Sequence, residues 1–365
     1  MYKKIFIAII TVYIALFPIY ICCMYVYDPK HIFSNTDKYF SDDMRSQAKA
    51  YINENEKVAG IIIGSSMMEN TSSYGANQLF FKGENNKIFL NLSLKGSSFA
   101  ERKVILDYAF KKRNIKKVIY SLDPAPLHFS PLRLMSWQKM YDNNPFNDIF
   151  LYFNLKSLQC LLSGSHSKKC FGVKHDLDRP AAWINDLAYS GSFLGICSWT
   201  VQSRVLLEND LLSYKKDPAI TLYHLDYQKE YTRNNILQFL DSHTTTDFYF
   251  LIPPYSALYY KIRYEYDSNQ ISWVKEYLSY FASECDRRDN CHVYGFNDME
   301  FTTELKNYKD PMHYSDKINS YMLESIKNNK HELHSNLLKS YFQNMDALYS
   351  EFSLDSVKKM LKECR

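Results

Sequence analysis

The sequence predicts an α/β protein. The expected architecture is a three-layer sandwich on a five-stranded parallel, flavodoxin-like sheet, with a helical insertion and an N-terminal transmembrane helix. Two observations carry this expectation. Short apolar runs alternate with helical segments on both sides of a middle region that lacks such alternation. An uncharged stretch, residues 5–27, follows Lys3 and Lys4 at the start.

The uncharged stretch spans roughly 35 Å as a helix at 1.5 Å per residue. A bilayer core is about 30 Å thick. The stretch is longer than the apolar region of a signal peptide and lacks a small-residue cleavage site, so an uncleaved span is expected. Lys3 and Lys4 assign residues 1–4 to the cytoplasm of a bacterial cell with this helix in the inner (cytoplasmic) membrane. The rest is then periplasmic or otherwise extracytoplasmic. Residues 28–57 read as a polar, mostly helical neck.

Val58–Gly64 (VAGIIIG) is a short apolar run of the kind found in strands buried on both faces. Lys87–Leu94 (KIFLNLSL) and Lys117–Leu122 (KVIYSL) repeat it. Between them, Ser98 and Glu101 form a capping box for a helix to Asn114, with Ala100, Val104, Ile105, Tyr108 and Ala109 on one face. Residues from about 125 to 240 show aromatic, helix-like segments and loops, and read as a helical insertion over one end of the sheet. The strand pattern resumes at Asp247–Ile252 and His292–Phe296, separated by a helix over Ile271–Cys285. A last core helix is expected after Ser315, with Ile318, Met322 and Ile326 inward. Residues 331–365 read as one or two further amphipathic helices.

Composition excludes several classes. The chain has 365 residues, 46% of them hydrophobic and 23% charged, which is a folding composition rather than a disordered one. A net charge of +4 is too small to argue for nucleic acid as a partner. The basic run Lys111–Lys117 suits a helix C-terminus. Cys160 with Cys170, and Cys285 with Cys291, flank short loops. Each pair either closes a disulfide in an oxidising compartment or stays as thiols. No cysteine or histidine spacing suits zinc, so no metal and no cofactor is expected.

Ligands of open parallel sheets bind at the carboxyl ends of the strands. Three features fall there. Gly64-Ser65-Ser66 follows the first strand, where a tight turn and a helix N-terminus would favour developing negative charge. Gly96 follows the second strand, and its amide together with that of Ser66 could stabilise an oxyanion. Asp310-x-x-His313 precedes the last core helix. A serine hydroxyl needs a base, histidine supplies one, and a carboxylate orients it.

This order resembles the layout of the SGNH (GDSL-type) hydrolase family, over about 58–124 and 246–328. The resemblance implies that Ser66, Asp310 and His313 are catalytic, with Ser65 where the family usually has Asp and Gly96 as the second-block glycine. The GSS start, the NLSLKG segment and the IYSLDP strand resemble the membrane-anchored branch, which includes proteins of D-alanine transfer to lipoteichoic acid and of alginate acetylation. One position departs from the pattern. Asp123 stands where an Asn usually donates to the oxyanion, and a carboxylate there opposes it unless neutralised or turned away. Asn70 is then the substitute donor to consider. The implied domain is 58–330, carrying the insertion.

The implied activity is O-acyl (acetyl) transfer to a cell-envelope glycan or polymer, beside a multi-pass membrane-bound O-acyltransferase. The alternatives are a carbohydrate esterase or deacetylase, and a non-catalytic partner of such an acyltransferase.

Overall fold

The computed structural model describes residues 2–30, 32–33, 44–124, 129, 136–142, 144–171, 178–179, 183, 191–213 and 225–364. Residues 34–43 of the expected neck and several stretches of the expected insertion therefore lie outside the described residues.

In chain order the helices and strands begin with α1 (Tyr2–Tyr27), α2 (Met44–Glu54), β1 (Val58–Ile63), α3 (Ser73–Phe80), β2 (Ile88–Asn91), α4 (Phe99–Lys112) and β3 (Lys117–Ser121). The insertion contributes 3-10 helices at Ser136–Tyr141 and Pro145–Tyr152, then α5 (Leu155–Ser163), α6 (Lys168–Phe171), α7 (Val201–Ser213), α8 (Leu225–Thr232) and α9 (Gln238–Ser242). The chain ends with β4 (Asp247–Ile252), α10 (Ala257–Tyr266), α11 (Ser268–Cys285), β5 (Cys291–Gly295), α12 (Asp316–Lys327), α13 (Leu338–Glu351) and α14 (Leu354–Glu363).

The five strands form one all-parallel sheet in the order β2-β1-β3-β4-β5. That is the doubly wound order of the flavodoxin type. Every residue of β1 is buried, as a strand covered on both faces requires. The edge at β5 is also covered. Gly295 N donates to His331 O and Leu333 N to Val293 O, so the chain before α13 runs antiparallel along this edge.

The capping box at Ser98 and Glu101 forms as the sequence predicts. Ile318, Met322 and Ile326 of α12 are buried. Ser315 takes the N-cap position of α12, but its side chain makes no capping hydrogen bond. A helix not anticipated from sequence, α10, follows Pro253-Pro254 and is capped by Ser256. The middle region is helical and 3-10 among its described residues, with no strand in the sheet.

Among the described residues one helix, α1, is long and apolar enough to cross a bilayer, and none of its apolar window is buried against the body. Three disulfides are present. Cys160–Cys170 and Cys285–Cys291 close short loops, and Cys197–Cys364 joins the insertion to the C-terminus.

At the carboxyl ends of the strands lies a fully buried ion pair. Arg102 Nη2 of α4 is 2.8 Å from Asp123 Oδ2, and neither side chain has any exposure. The guanidinium also donates to Ser97 Oγ (2.8 Å) and to the carbonyls of Ser97 and Ser121. Asp123 Oδ1 accepts from Ser65 Oγ at 2.8 Å. One network therefore ties the end of β1, the start of α4 and the end of β3.

Removing one partner of a buried pair strands the other charge. Arg102→Met is expected to lower stability by about 3–5 kcal/mol. Arg102→Met with Asp123→Leu should recover part of that loss. Thermal unfolding of the full chain in detergent measures both. Equal stability of Arg102→Met and wild type would contradict the arrangement.

Candidate active site

Ser66 lies two residues beyond Gly64, the glycine that directly follows β1. Gly64 is required there because a Cβ would come within 2.5 Å of Ser121 Cβ and 2.6 Å of Met68 Cγ. The expected helix N-terminus at Ser66 is not observed. α3 begins only at Ser73 with Ser72 as its cap, and residues 66–70 form successive turns. Met68 N donates to Ser65 O, and Thr71 N to Met68 O. Side chains replace the helix in fixing these turns. Asn91, the last residue of β2, donates to Met68 O and Thr71 O, both at 2.8 Å. Asn319 of α12 donates to Met67 O (3.0 Å) and Thr71 Oγ1 (2.8 Å).

Asp310 and His313 lie at the tip of a tight loop. Its flanks pair through Tyr308 and Tyr314, and Lys309 N donates to His313 O at 3.0 Å. Two anchors after β4 hold it. Pro311 O accepts from Ser256 N and Oγ, and Tyr308 Oη donates to Pro254 O.

The loop brings His313 Nε2 to 2.8 Å from Ser66 Oγ. His313 Nδ1 lies 2.8 and 3.0 Å from the two Asp310 carboxylate oxygens. A carboxylate only accepts, so Nδ1 carries the proton and Nε2 is left to accept from the Ser66 hydroxyl. Asp310 Oδ1 also accepts from the amides of Met312 and His313 at 2.9 Å. Burial alone would raise the Asp310 carboxyl. The charge and hydrogen bonds of His313, with Lys309, outweigh burial and hold it below the usual carboxylate range. Lys309 Nζ is 3.4 Å from Asp310 Oδ2. Burial lowers the Lys309 ammonium, and Asp310 opposes that shift.

Asp123 is turned away from this site. Its carboxylate meets Arg102 and Ser65, so its charge is neutralised by contact. Ser65 is buried and structural in its contacts. It donates to Asp123 and accepts from Met67 N. Asn70 is fully buried within the turns after Ser66. Gly96 is exposed, with φ of 57°. Its loop is tied to Gly64, whose carbonyl accepts from Leu94 N and Ser97 Oγ. Among the described residues, neither the Ser66 nor the Gly96 amide donates to a protein acceptor.

The insertion also reaches the site, through a residue that sequence reasoning did not single out. Trp183 Nε1 donates to Ser66 O at 3.1 Å, and its ring meets His313 edge-on at 5.8 Å. Lys309 Nζ lies 4.7 Å from the same ring. Asp178 fastens this part of the insertion to α3, accepting from Ser72 Oγ and Tyr74 N at 2.7 Å each. A lone Trp in a segment without regular periodicity gives no sequence signal for this role. Asn91 was legible only as the first residue of the NLSLKG segment that ends in Gly96.

Comparison with known proteins adds little to this geometry. No family model matches the chain, and no curated protein matches it. A solved chain from Streptococcus pneumonia, described as a "putative platelet activating factor", is similar at 12% identity with a TM-score of 0.35. The match covers 78% of this chain and 90% of that one.

Two outcomes are expected. Asn91→Leu removes the donor to Thr71 O and one of two donors to Met68 O, which costs about 1–3 kcal/mol and loosens the Ser66 turn. Thermal unfolding should show the loss, and wild-type stability would contradict the clamp. Because the Asp310 carboxyl is depressed in the folded state, its contribution is fully present above the unfolded value of about 3.9 and is lost as pH falls towards the folded one. Asp310→Asn should therefore flatten the acid limb of a stability-versus-pH curve below pH about 4. An unchanged acid limb would contradict the pairing.

Proposed function

We propose that this protein is a membrane-anchored serine acyltransferase that works on the extracytoplasmic side of the cytoplasmic membrane. It moves an acyl group, such as acetyl, onto a cell-envelope glycan or polymer through an acyl-enzyme on Ser66. The observation that carries the reading is the hydrogen-bond chain from Ser66 through His313 to Asp310.

In the first half-reaction His313 Nε2 takes the hydroxyl proton as Ser66 Oγ attacks the acyl carbonyl carbon. Asp310 stabilises the imidazolium. The amides of Ser66 and Gly96 are the proposed donors to the oxyanion. The tetrahedral intermediate collapses, the donor's leaving group takes the proton from His313, and Ser66 holds the acyl ester. In the second half an acceptor hydroxyl gives its proton to His313 and attacks the ester. Ser66 then regains the proton.

Support for the compartment comes from α1 and from the disulfides. Such bonds persist in oxidising spaces. Lys3 and Lys4 favour a cytoplasmic N-terminus. A multi-pass membrane O-acyltransferase is the proposed source of the acyl group. Transfer rather than hydrolysis is proposed because α1, read as a membrane anchor, would hold Ser66 beside a donor delivered through the bilayer. The esterase reading uses the same residues with water as acceptor. The non-catalytic reading rests on Asp123 at the position of an oxyanion donor, and the Arg102 pairing removes the charge part of that objection.

Incubation of the full chain in detergent with a fluorophosphonate probe tests the nucleophile. Wild type and Ser65→Ala should label, Ser66→Ala should not, and His313→Ala should label about a thousand-fold more slowly. Equal labelling of Ser66→Ala and wild type would overturn the assignment. Acylated glycan, found by mass spectrometry when acceptor is added, separates transfer from hydrolysis.

A further inference from the structure

Among the described residues, the first part of the insertion carries an apolar surface that faces the wrong way for a water-soluble protein. On α5, Leu155, Leu158 and Leu162 fall on one stripe at helical spacing and are exposed, Leu155 at 70% and Leu162 at 78%. The buried positions of the same helix are Ser157 and Cys160. An ordinary surface helix does the reverse, turning its apolar stripe to the core. The 3-10 helix before it continues the surface with Phe146, at 86% exposure, and Phe150, which packs on exposed Phe153.

This surface is continuous with α1. Phe153 stacks on Phe17 and also meets Tyr20, each at 5.4 Å between ring centroids. Tyr20 Oη donates to Tyr152 O, and Tyr27 Oη donates to Ser165 O, just beyond α5. Phe17 lies ten residues before the end of α1, roughly 15 Å back along its axis. Phe153 therefore sits well inside the apolar span of α1 rather than beyond its end. Where α1 enters a bilayer, the patch beside it enters too.

We infer that Phe146, Phe150, Phe153 and the Leu155–Leu158–Leu162 stripe form an interfacial surface embedded in the outer leaflet of the membrane that α1 spans. This rests on the reading of α1 as a spanning helix and extends it from a tether to a two-point attachment. Apolar faces of interfacial helices sink about 5–10 Å into the headgroup and acyl boundary. Polar contacts tie this attachment to the body. Asp28, at the end of α1, accepts from Tyr152 Oη and from the amides of Ile32 and Phe33. Lys49 of α2 pairs with the buried Asp148 of the same 3-10 helix, and α2 packs on α4 of the body. On this inference these contacts set the height and orientation of Ser66 over the bilayer.

The test uses the full chain in lipid nanodiscs with no other protein. Cys22→Ser and Cys23→Ser remove the two free thiols. Single cysteines are then placed by Leu155→Cys, Leu162→Cys or, as a control on the turn before β5, Arg287→Cys, and each is labelled with an environment-sensitive fluorophore. Lipids bearing a doxyl group near the headgroup should lower emission at 155 and 162 by about two-fold and leave 287 unchanged. Co-purification with nanodiscs but no quenching at 155 and 162 overturns the lipid assignment and leaves the patch to a protein surface. Failure to co-purify at all overturns the spanning reading and this one with it.

Discussion

The Arg102–Asp123 ion pair is the interaction on which the rest of the site depends. It lies at the strand ends with no exposure and engages Ser65, Ser97 and the Ser121 carbonyl as well. Burying two charges is costly, and such a pair is weak evidence for stability in itself. Its consequence here is geometric. It fixes the end of β1, where Ser66 begins, relative to the loop that carries Gly96 and to the end of β3. It also has an electrostatic consequence. A carboxylate beside Ser66 would oppose a developing oxyanion, and Arg102 cancels that charge before it reaches the site.

The sheet was legible because parallel strands buried on both faces leave continuous apolar runs, such as Val58–Ile63 and Asp247–Ile252. The helix over residues 99–112 was legible from its capping box. α10 was not, since Pro253-Pro254 reads as a break and its buried residues, Ala257, Leu258, Tyr259, Tyr260 and Ile262, mix small, aliphatic and tyrosine side chains. Cys197–Cys364 was invisible because its partners are 167 residues apart and no local spacing links them. Within the site, the order of Ser66, Gly96, Asp310 and His313 could be read from strand ends. The supports could not. Arg102, Asn319 and Trp183 act through folding contacts from distant segments, and nothing local marks them. The sequence also placed a helix N-terminus at Ser66, where turns clamped by Asn91 and Asn319 stand instead.

The insertion serves both halves of the proposed account. Its first part joins the C-terminal end of α1 to the body, and its later part lays Trp183 against Ser66 and His313. Cys197–Cys364 then links it to the C-terminus. A soluble esterase needs no such attachment. An enzyme that accepts an acyl group from a membrane donor and delivers it to an envelope polymer gains from a nucleophile held at a set distance from the lipid.

The central claim is that Ser66 carries the acyl group. The direct measurement is acid-quenched peptide mapping of the full chain after brief exposure to an activated acetyl ester. The account predicts an acetyl group on Ser66, formed in wild type and displaced when an acceptor hydroxyl is supplied. Acetyl found on another residue, or turnover with Ser66 never modified, would contradict it.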